Sequence, residues 1–464
     1  MNRIAHITPA PIVGALALLA GTFIPAGANA AIRVVGNCND SGAGSLRAVV
    51  ATAASGDVID LRSLGCSRIL LTSGSIAVPQ ASLTILGRTR YALTVDGNAM
   101  DRVFLHSGTG TLRIDHVSVA NGLRQVLEGG TAEYGGCIYS QGNVRLHQAW
   151  VHSCRALQQG FLESPHTYGG GISAEGSVHL TWSAVFDNEA LENSEGGGIH
   201  ANGRVTLHHS QVYQNTAYLG GGIRAERGAS ITYSRIYRNR AAYGGGLYVS
   251  AGTLPPDMLI NKSTISNNVA EDLWRGTPYN SGGGFILSGD SDGKHTILDS
   301  TISNNRAHHH SAGFAYGTLD VYNSTIAYNA EINNRGAGEE DPWECEHRGA
   351  LGAFELHLES TIVARTSCVS GPVGYDISEA TGSVIGANNL IERPRAPVPA
   401  DTLAVDPRLA PLADNGGYSA THMPLSDSPV LGQGSNLLDR AYDQRGPGFP
   451  RIKDGAPDIG SVER

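Results

Sequence analysis

A glycine triplet that returns at near-regular intervals constrains this chain more than any other feature. Gly169-Gly170-Gly171-Ile172 recurs as Gly196–Ile199, Gly220–Ile223, Gly244–Leu247 and Gly282–Phe285, with degenerate copies at Gly135-Gly136-Cys137-Ile138 and Ser311-Ala312-Gly313-Phe314. The tightest interval is 24 residues, from 196 to 220 to 244, and the others are longer by insertion. Glycine makes up 60 of 464 residues, close to twice the usual share of roughly 7%.

Each copy continues alike: a short strand, a turn, a second strand ending near a serine, then Val or Ile, then Asn. Aligned on the serine (Ser183, Ser210, Ser234, Ser263, Ser300, Ser324, Ser360), the second residue after it is Val185, Val212, Ile236, Ile265, Ile302, Ile326 or Ile362. Leu180, Leu207, Ile231, Ile260, Ile297 and Val321 stand three before it. This period-two alternation is that of half-buried strands. Five after the serine come Asn188, Asn215, Asn239, Asn268, Asn305 and Asn329. Asn tolerates the left-handed backbone, and stacked amides can hydrogen-bond along a ladder. A unit of this length with three short strands and no helix pattern must stack on copies of itself. Propeller blades need about 40 residues and four antiparallel strands. The expected fold is all-β: a single-stranded right-handed parallel β-helix, a solenoid with an N-terminal helical cap and an irregular C-terminal cap.

The ends fit that expectation. Ser45 is placed to cap a helix over Leu46–Ala54, with Leu46, Val49, Val50 and Ala53 on one face and Gly56 beyond its end, covering the first coil. The last stretch loses the repeat and becomes rich in Pro, Asp and Gly. The expected division is 1–30 signal peptide, 31–110 cap and first coils, 111–370 repeat region and 371–464 last coils and cap. Arg3 and His6, the apolar run Ile12–Ile24 and Ala28-Asn29-Ala30 have the pattern of an export signal cleaved after Ala30. No later segment is long and apolar enough to span a membrane. The six cysteines all lie beyond that point, and an even number in an exported chain favours disulfides, with Cys38–Cys66, Cys137–Cys154 and Cys345–Cys368 as the sequence-local pairs among 15 combinations. The expected location is secreted, cell-surface or periplasmic. A net charge of −9 disfavours a nucleic-acid partner.

Several segments resemble known families. Asn37-Cys38-Asn39-Asp40-Ser41-Gly42-Ala43-Gly44-Ser45-Leu46-Arg47 resembles the entry segment of exported bacterial β-helix proteins. The glycine and S-x-[VI]-x-x-N repeats resemble those of polymorphic outer membrane proteins and the pectate-lyase-like superfamily. Asp406-Pro407-Arg408-Leu409, Leu412-Ala413-Asp414-Asn415-Gly416-Gly417, Ser428-Pro429-Val430, Asp443-Gln444-Arg445-Gly446 and Asp458-Ile459-Gly460 are similar to the C-terminal region of choice-of-anchor Q proteins. The resemblance implies fold and export, and no particular activity. The sequence ends at Arg464 without a sorting sequence or apolar tail, so covalent or barrel anchoring is not expected.

Every long insertion follows the Asn turn, at Leu157–Tyr168, Glu271–Ser281 and Glu331–Phe354, with a moderate one at Leu191–Glu195. Tall loops on either side of two bare coils leave a notch near residues 196–248. Alternation turns His200, Arg224 and Tyr248 outward there, with Glu175, Asn202, Glu226 and Ser250 two residues further on. Phe186, Tyr213 and Tyr237 form an outward aromatic column, and Tyr218 and Tyr243 sit at the turns. Rings beside Arg, His and carboxylates are what an extended sugar chain needs, although such ladders also stabilise any β-helix.

The leading expectation is a monomeric binder of extracellular polysaccharide or another cell-surface component, without turnover, cofactor or metal. The alternative is a polysaccharide lyase or glycoside hydrolase in the notch. For a lyase, His200, Arg224 and Tyr248 supply base and charge partner. For a hydrolase, Glu175 and Glu226 supply the two carboxyl groups. On that alternative, His200→Ala or Arg224→Ala removes turnover and leaves thermal unfolding unchanged. A third reading is a structural spacer. His308-His309-His310 and Glu339-Glu340-Asp341 are read as turn and loop decoration.

Overall fold

The structure is a computed structural model describing residues 30–126, 132–158, 167–191, 193–250, 257–271, 280–288, 293–332, 349–368, 374–378, 381–453 and 455–464. Over these the chain winds as a parallel β-helix. In most coils two strands join a 22-stranded sheet, here called the large sheet, and one joins a 12-stranded second sheet. In the coil that starts at Gly196 the strands are Ile199–Ala201, Val205–His208 and Gln211–Tyr213. Each pairs in parallel with its counterpart one coil on, Ile199 with Ile223, Val205 with Ala229 and Gln211 with Arg235. Ile199, Ile223 and Leu247 are fully buried in one continuous core.

The corners make this stacking possible. Gly196 has φ +70°, a conformation that costs glycine little. A Cβ on Gly197 would lie 2.4 Å from the Gly221 carbonyl oxygen of the next coil, so the triplet marks both a left-handed turn and a close approach. At the asparagine corner each side chain joins two coils. The Asn215 Nδ2 and backbone N–H both donate to Asn239 Oδ1, at 3.0 Å each. The same pattern runs from Asn188 through Asn268 and Asn305 to Asn329. The left-handed residue is not the asparagine but the one before it: Asp187, Gln214, Arg238, Asn267, Asn304 and Tyr328 have φ 54–59°. That position turns the chain, which frees the asparagine to point inward.

The serine corner uses the same device. Ser210 N–H donates to Ser234 Oγ at 3.1 Å, and Ser210 Oγ donates to the His208 carbonyl at 2.9 Å. Ser360 does not belong to this column. Ser324 N–H reaches Thr361 Oγ1, and Val363, not Ile362, pairs with Ile326. Pairing from Gly313–Tyr322 to Gly349–Glu359 shifts register between Ala315 and Thr318, which displaces the alignment by one residue.

The N-terminal helix spans Leu46–Ala51, shorter than the sequence pattern suggests, because Thr52 closes it on the Val49 and Val50 carbonyls. Ser45 caps it as expected, accepting from Ala48 N–H at 3.2 Å. Leu46 and Val50 seal the first coil, while the edge strand Ile32–Val34 pairs on one side only among the described residues. Cys38–Cys66 and Cys137–Cys154 are disulfides. Cys345, and with it the third expected pair, lies outside the described residues, as do most of the long insertions and the export signal up to Asn29. No helix among the described residues is long and apolar enough to cross a membrane.

The C-terminal region does more than close an end. Ala396 and Val398 pack on the last coil, and the chain then returns along the outer face of the second sheet. Thr264 Oγ1 donates to the Ala420 carbonyl at 2.6 Å, Thr301 Oγ1 to Gln444 Oε1 at 2.6 Å, and Ser461 N–H to Thr325 Oγ1 at 3.0 Å. Lys262 of the coil and Arg440 of this segment both bind Asp299, at 3.1 and 2.8 Å. The outward residues of the second sheet change where the tail begins, from Phe186, Tyr213 and Tyr237 to Ser266, Ser303 and Ala327.

Asn239→Ala should lower stability by about 2 kcal/mol or more in chemical denaturation, because two buried donors of Asn215 lose their acceptor. A second expectation concerns Glu463 at the end of the tail. Burial raises its pKa from 4.5 to about 8, against the opposing pull of Arg451 at 3.3 Å. A raised carboxyl pKa means the folded state holds a proton that the unfolded state releases, so stability should fall as pH rises from about 4.5 to about 8. Glu463→Gln should flatten that slope in thermal unfolding followed across this pH range.

Candidate functional site

Register places the expected residues in one row on the large sheet. Tyr139, Ser173, His200, Arg224 and Tyr248 pair in succession from coil to coil. Beside that row, immediately before each glycine triplet, runs a second column: Tyr134 beside Tyr168 beside Glu195, continued by Leu219 and Tyr243. Glu175, Asn202, Glu226 and Ser250 follow on the other flank. The three columns make an elongated face with tyrosines at one end and charge in the middle.

The charged centre is more internal than alternation alone implies. His200 and Arg224 point out of the coil yet are only 4% and 7% exposed. The Tyr168 ring lies over His200 at 4.8 Å between centroids, and Arg224 lies over the Tyr248 ring at 4.8 Å. Arg224 Nε binds Glu195 at 2.9 Å, and its Nη2 binds Glu226 at 2.6 Å. Ser250 Oγ donates to the second Glu226 oxygen at 3.0 Å. Glu175 stands apart from this group, receiving the Tyr139 hydroxyl at 3.2 Å and the Asn202 amide. The two carboxylates expected to pair, Glu175 and Glu226, thus belong to separate networks.

Electrostatics follow the burial. Loss of solvent, with the Arg224 charge adding to it, pushes the His200 pKa down to about 3, so the imidazole is uncharged at neutral pH. Its Nδ1 shares a 3.4 Å hydrogen bond with Ser173 Oγ, and its Nε2 stands 3.9 Å from Glu195. Burial, then nearby carboxylates, raises the Tyr168 and Tyr139 hydroxyls to about 12. Ligating atoms of Glu195, His200 and Glu226 lie within 4.8 Å of one another. They are the side chains a divalent cation would use, and the Arg224 guanidinium already bridges both carboxylates.

Glu195 is the member that sequence reasoning misses. Its signal was its place directly before Gly196, the column that also holds Tyr134, Tyr168 and Tyr243. Tyr218 and Tyr243 sit at the rim of the face, edge to face at 5.9 Å.

The expected aromatic column is elsewhere. Phe186, Tyr213 and Tyr237 belong to the second sheet, whereas His200, Arg224 and Tyr248 belong to the large sheet. Phe186 and Tyr213 stack at 4.8 Å with planes 1° apart, Tyr213 and Tyr237 at 4.8 Å and 8°, and His152 covers the far side of Phe186. Ring faces are turned on one another and edges face out. A sugar's apolar side needs an open ring face, so this column is built for stacking within the wall.

Comparison with known proteins agrees with this architecture. The family described as "Right handed beta helix region" matches residues 137–334. The chain is a right-handed parallel β-helix. A crystal structure of the pectate lyase Pel9A superposes with a TM-score of 0.50 and 15% sequence identity, over 94% of this chain and 96% of that one. At that identity the likeness speaks to fold alone. No curated protein matches the chain.

Arg224→Ala removes the cation between two part-buried carboxylates, so it should destabilise the fold by on the order of 2 kcal/mol, less than for a fully buried pair. Thermal unfolding of Arg224→Ala and of Arg224→Lys checks this, with the lysine variant falling between it and the native protein. This reverses the expectation that the substitution leaves unfolding unchanged.

Proposed function

We propose that the protein binds an extended, uncharged polysaccharide along the three-column face of the large sheet and holds it without turnover. The observation that carries this reading is the closed circuit of Glu195, Arg224 and Glu226. An eliminating lyase needs a cation free to neutralise the substrate's acid and a base able to take its proton. Arg224 is committed to two carboxylates, and His200 is covered, uncharged and held at a low pKa. Three glutamates against one arginine also make the face repel an acidic chain. What reaches solvent is suited to sugar hydroxyls: Glu175, the Asn202 amide, Glu226, the Ser250 hydroxyl and part of the Tyr248 ring. Export to an oxidising compartment accords with the N-terminal pattern and with the Cys38–Cys66 and Cys137–Cys154 disulfides. We read the binding unit as a monomer.

The test is affinity electrophoresis on gels containing neutral polysaccharides (xylan, galactan, mixed-linkage glucan) and polygalacturonate, with reducing ends and unsaturated products measured in parallel. The expected result is retardation by at least one neutral polymer, loss of most of that retardation in Tyr248→Ala and Asn202→Ala, and no product. Release of unsaturated or reducing ends would replace this reading with the lyase or hydrolase. Retardation by polygalacturonate alone would also overturn it.

A further inference from the structure

A different part of the large sheet carries a charge pattern that the reading above does not use. Arg113 on Thr111–Asp115, Arg145 on Asn143–His147 and His179 on Val178–Thr181 stand directly opposite one another on neighbouring parallel strands. Such neighbours are about 4.8 Å apart, and like charges placed opposite each other destabilise a sheet. In a chain with net charge −9 an acid would be the easy partner, yet the row continues with Thr206 and Ser230.

The one carboxylate close by does not relieve the pattern. Asp115 accepts Arg113 Nε on both oxygens, at 2.9 and 2.8 Å. That leaves the two terminal amino groups of Arg113 and the whole Arg145 guanidinium without a carboxylate partner among the described residues. Next to them the strands form a hollow of about 310 Å³ lined by Arg113, Arg145, His147, His179 and Thr181. His147 is fixed edge-on against His116, with centroids 5.5 Å apart. Guanidinium forks match the oxygens of sulfate and phosphate, and imidazole and hydroxyl groups add donors of shorter reach.

We propose that this hollow binds a tetrahedral oxyanion, a sulfate or phosphate group, either as a monoester on a sugar or as the free ion. The Arg145 guanidinium supplies the main fork, the free amino groups of Arg113 the second, and His179, His147 and Thr181 close the remaining sides. An oxyanion placed there turns the like-charged row into an alternating one. The site stands on this register alone and does not depend on polysaccharide binding at the face of His200 and Arg224.

The test is an NMR titration of the intact protein in chloride buffer, following the imidazole signals of its histidines. Probes are inorganic sulfate, inorganic phosphate, glucose 6-sulfate, glucose 6-phosphate and unmodified glucose. The expected result is saturable shifts with the anions and none with glucose. Arg145→Ala should weaken binding at least tenfold while the far-ultraviolet circular dichroism is kept, since the side chain is exposed. Arg145→Lys should lie between. Tighter binding of the esters assigns the site to a modified glycan, and tighter binding of the ions assigns it to the free anion. Shifts that do not saturate, an equal response to glucose, or unchanged affinity in Arg145→Ala would overturn the proposal.

Discussion

A solenoid corner turns backbone amides away from the strands that could satisfy them, and an unsatisfied buried N–H costs as much as a lost hydrogen bond. Here the serine and asparagine corners solve this with a side-chain oxygen from the following coil, while the glycine corners use its backbone carbonyls. Asn239 Oδ1 takes both donors of Asn215, Asn268 Oδ1 takes those of Asn239, and Ser234 Oγ takes the Ser210 N–H. Each amide also reaches back, as Asn215 Nδ2 does to the Val185 carbonyl at 3.1 Å, so along this column a coil is tied to both of its neighbours. That ladder prevents one coil from rotating against another. Because it does, outward residues on adjacent coils face each other in a constant register.

The candidate site is a product of that register. Fixed pairing sets His200 against Arg224 and Arg224 against Tyr248, and the column before the glycine triplets brings Glu195 within 2.9 Å of Arg224. The same rigidity decides what the group can do. An arginine held between two carboxylates and beneath an aromatic wall organises the face, and is not free to meet an incoming acid. The face offers acceptors and donors for hydroxyls at a repeat of about 4.8 Å.

Much of this was legible in the chain. The triplets, the serine and asparagine columns and the alternating Val, Ile and Leu positions gave the coil and its inward residues, and Ile199, Ile223 and Leu247 are fully buried as that pattern requires. Periodicity did not distinguish a residue that points outward from one that stays exposed. His200 and Arg224 do the first, and are covered by Tyr168 and Glu195 from the column before the glycine triplets and by Tyr248 from the next coil of their own row. Nor did the repeat reveal that the left-handed residue precedes the asparagine, because Asp187, Gln214, Arg238 and Tyr328 share no chemistry. Conformation there is imposed by the corner, whatever the side chain. Glu195 escaped notice because its column mixes Tyr, Glu and Leu. The returning tail had a visible trace, the change on the second sheet from aromatic to small residues, but no local pattern links Thr301 to Gln444.

That tail has a consequence for how the molecule is made. Thr264 and Thr301 meet Gln444 across 180 and 143 residues of chain. Coils stack on their sequence neighbours, whereas the outer wall of the middle coils is covered only by a segment 143 to 180 residues further along the chain. Contacts of such long sequence separation form late and slowly. Until then the uncovered wall is a strip rich in serine and threonine hydroxyls, which water can satisfy. The same hydroxyls then serve two states in turn: they keep the unfinished rod wettable, and they later become the anchoring points of its last segment.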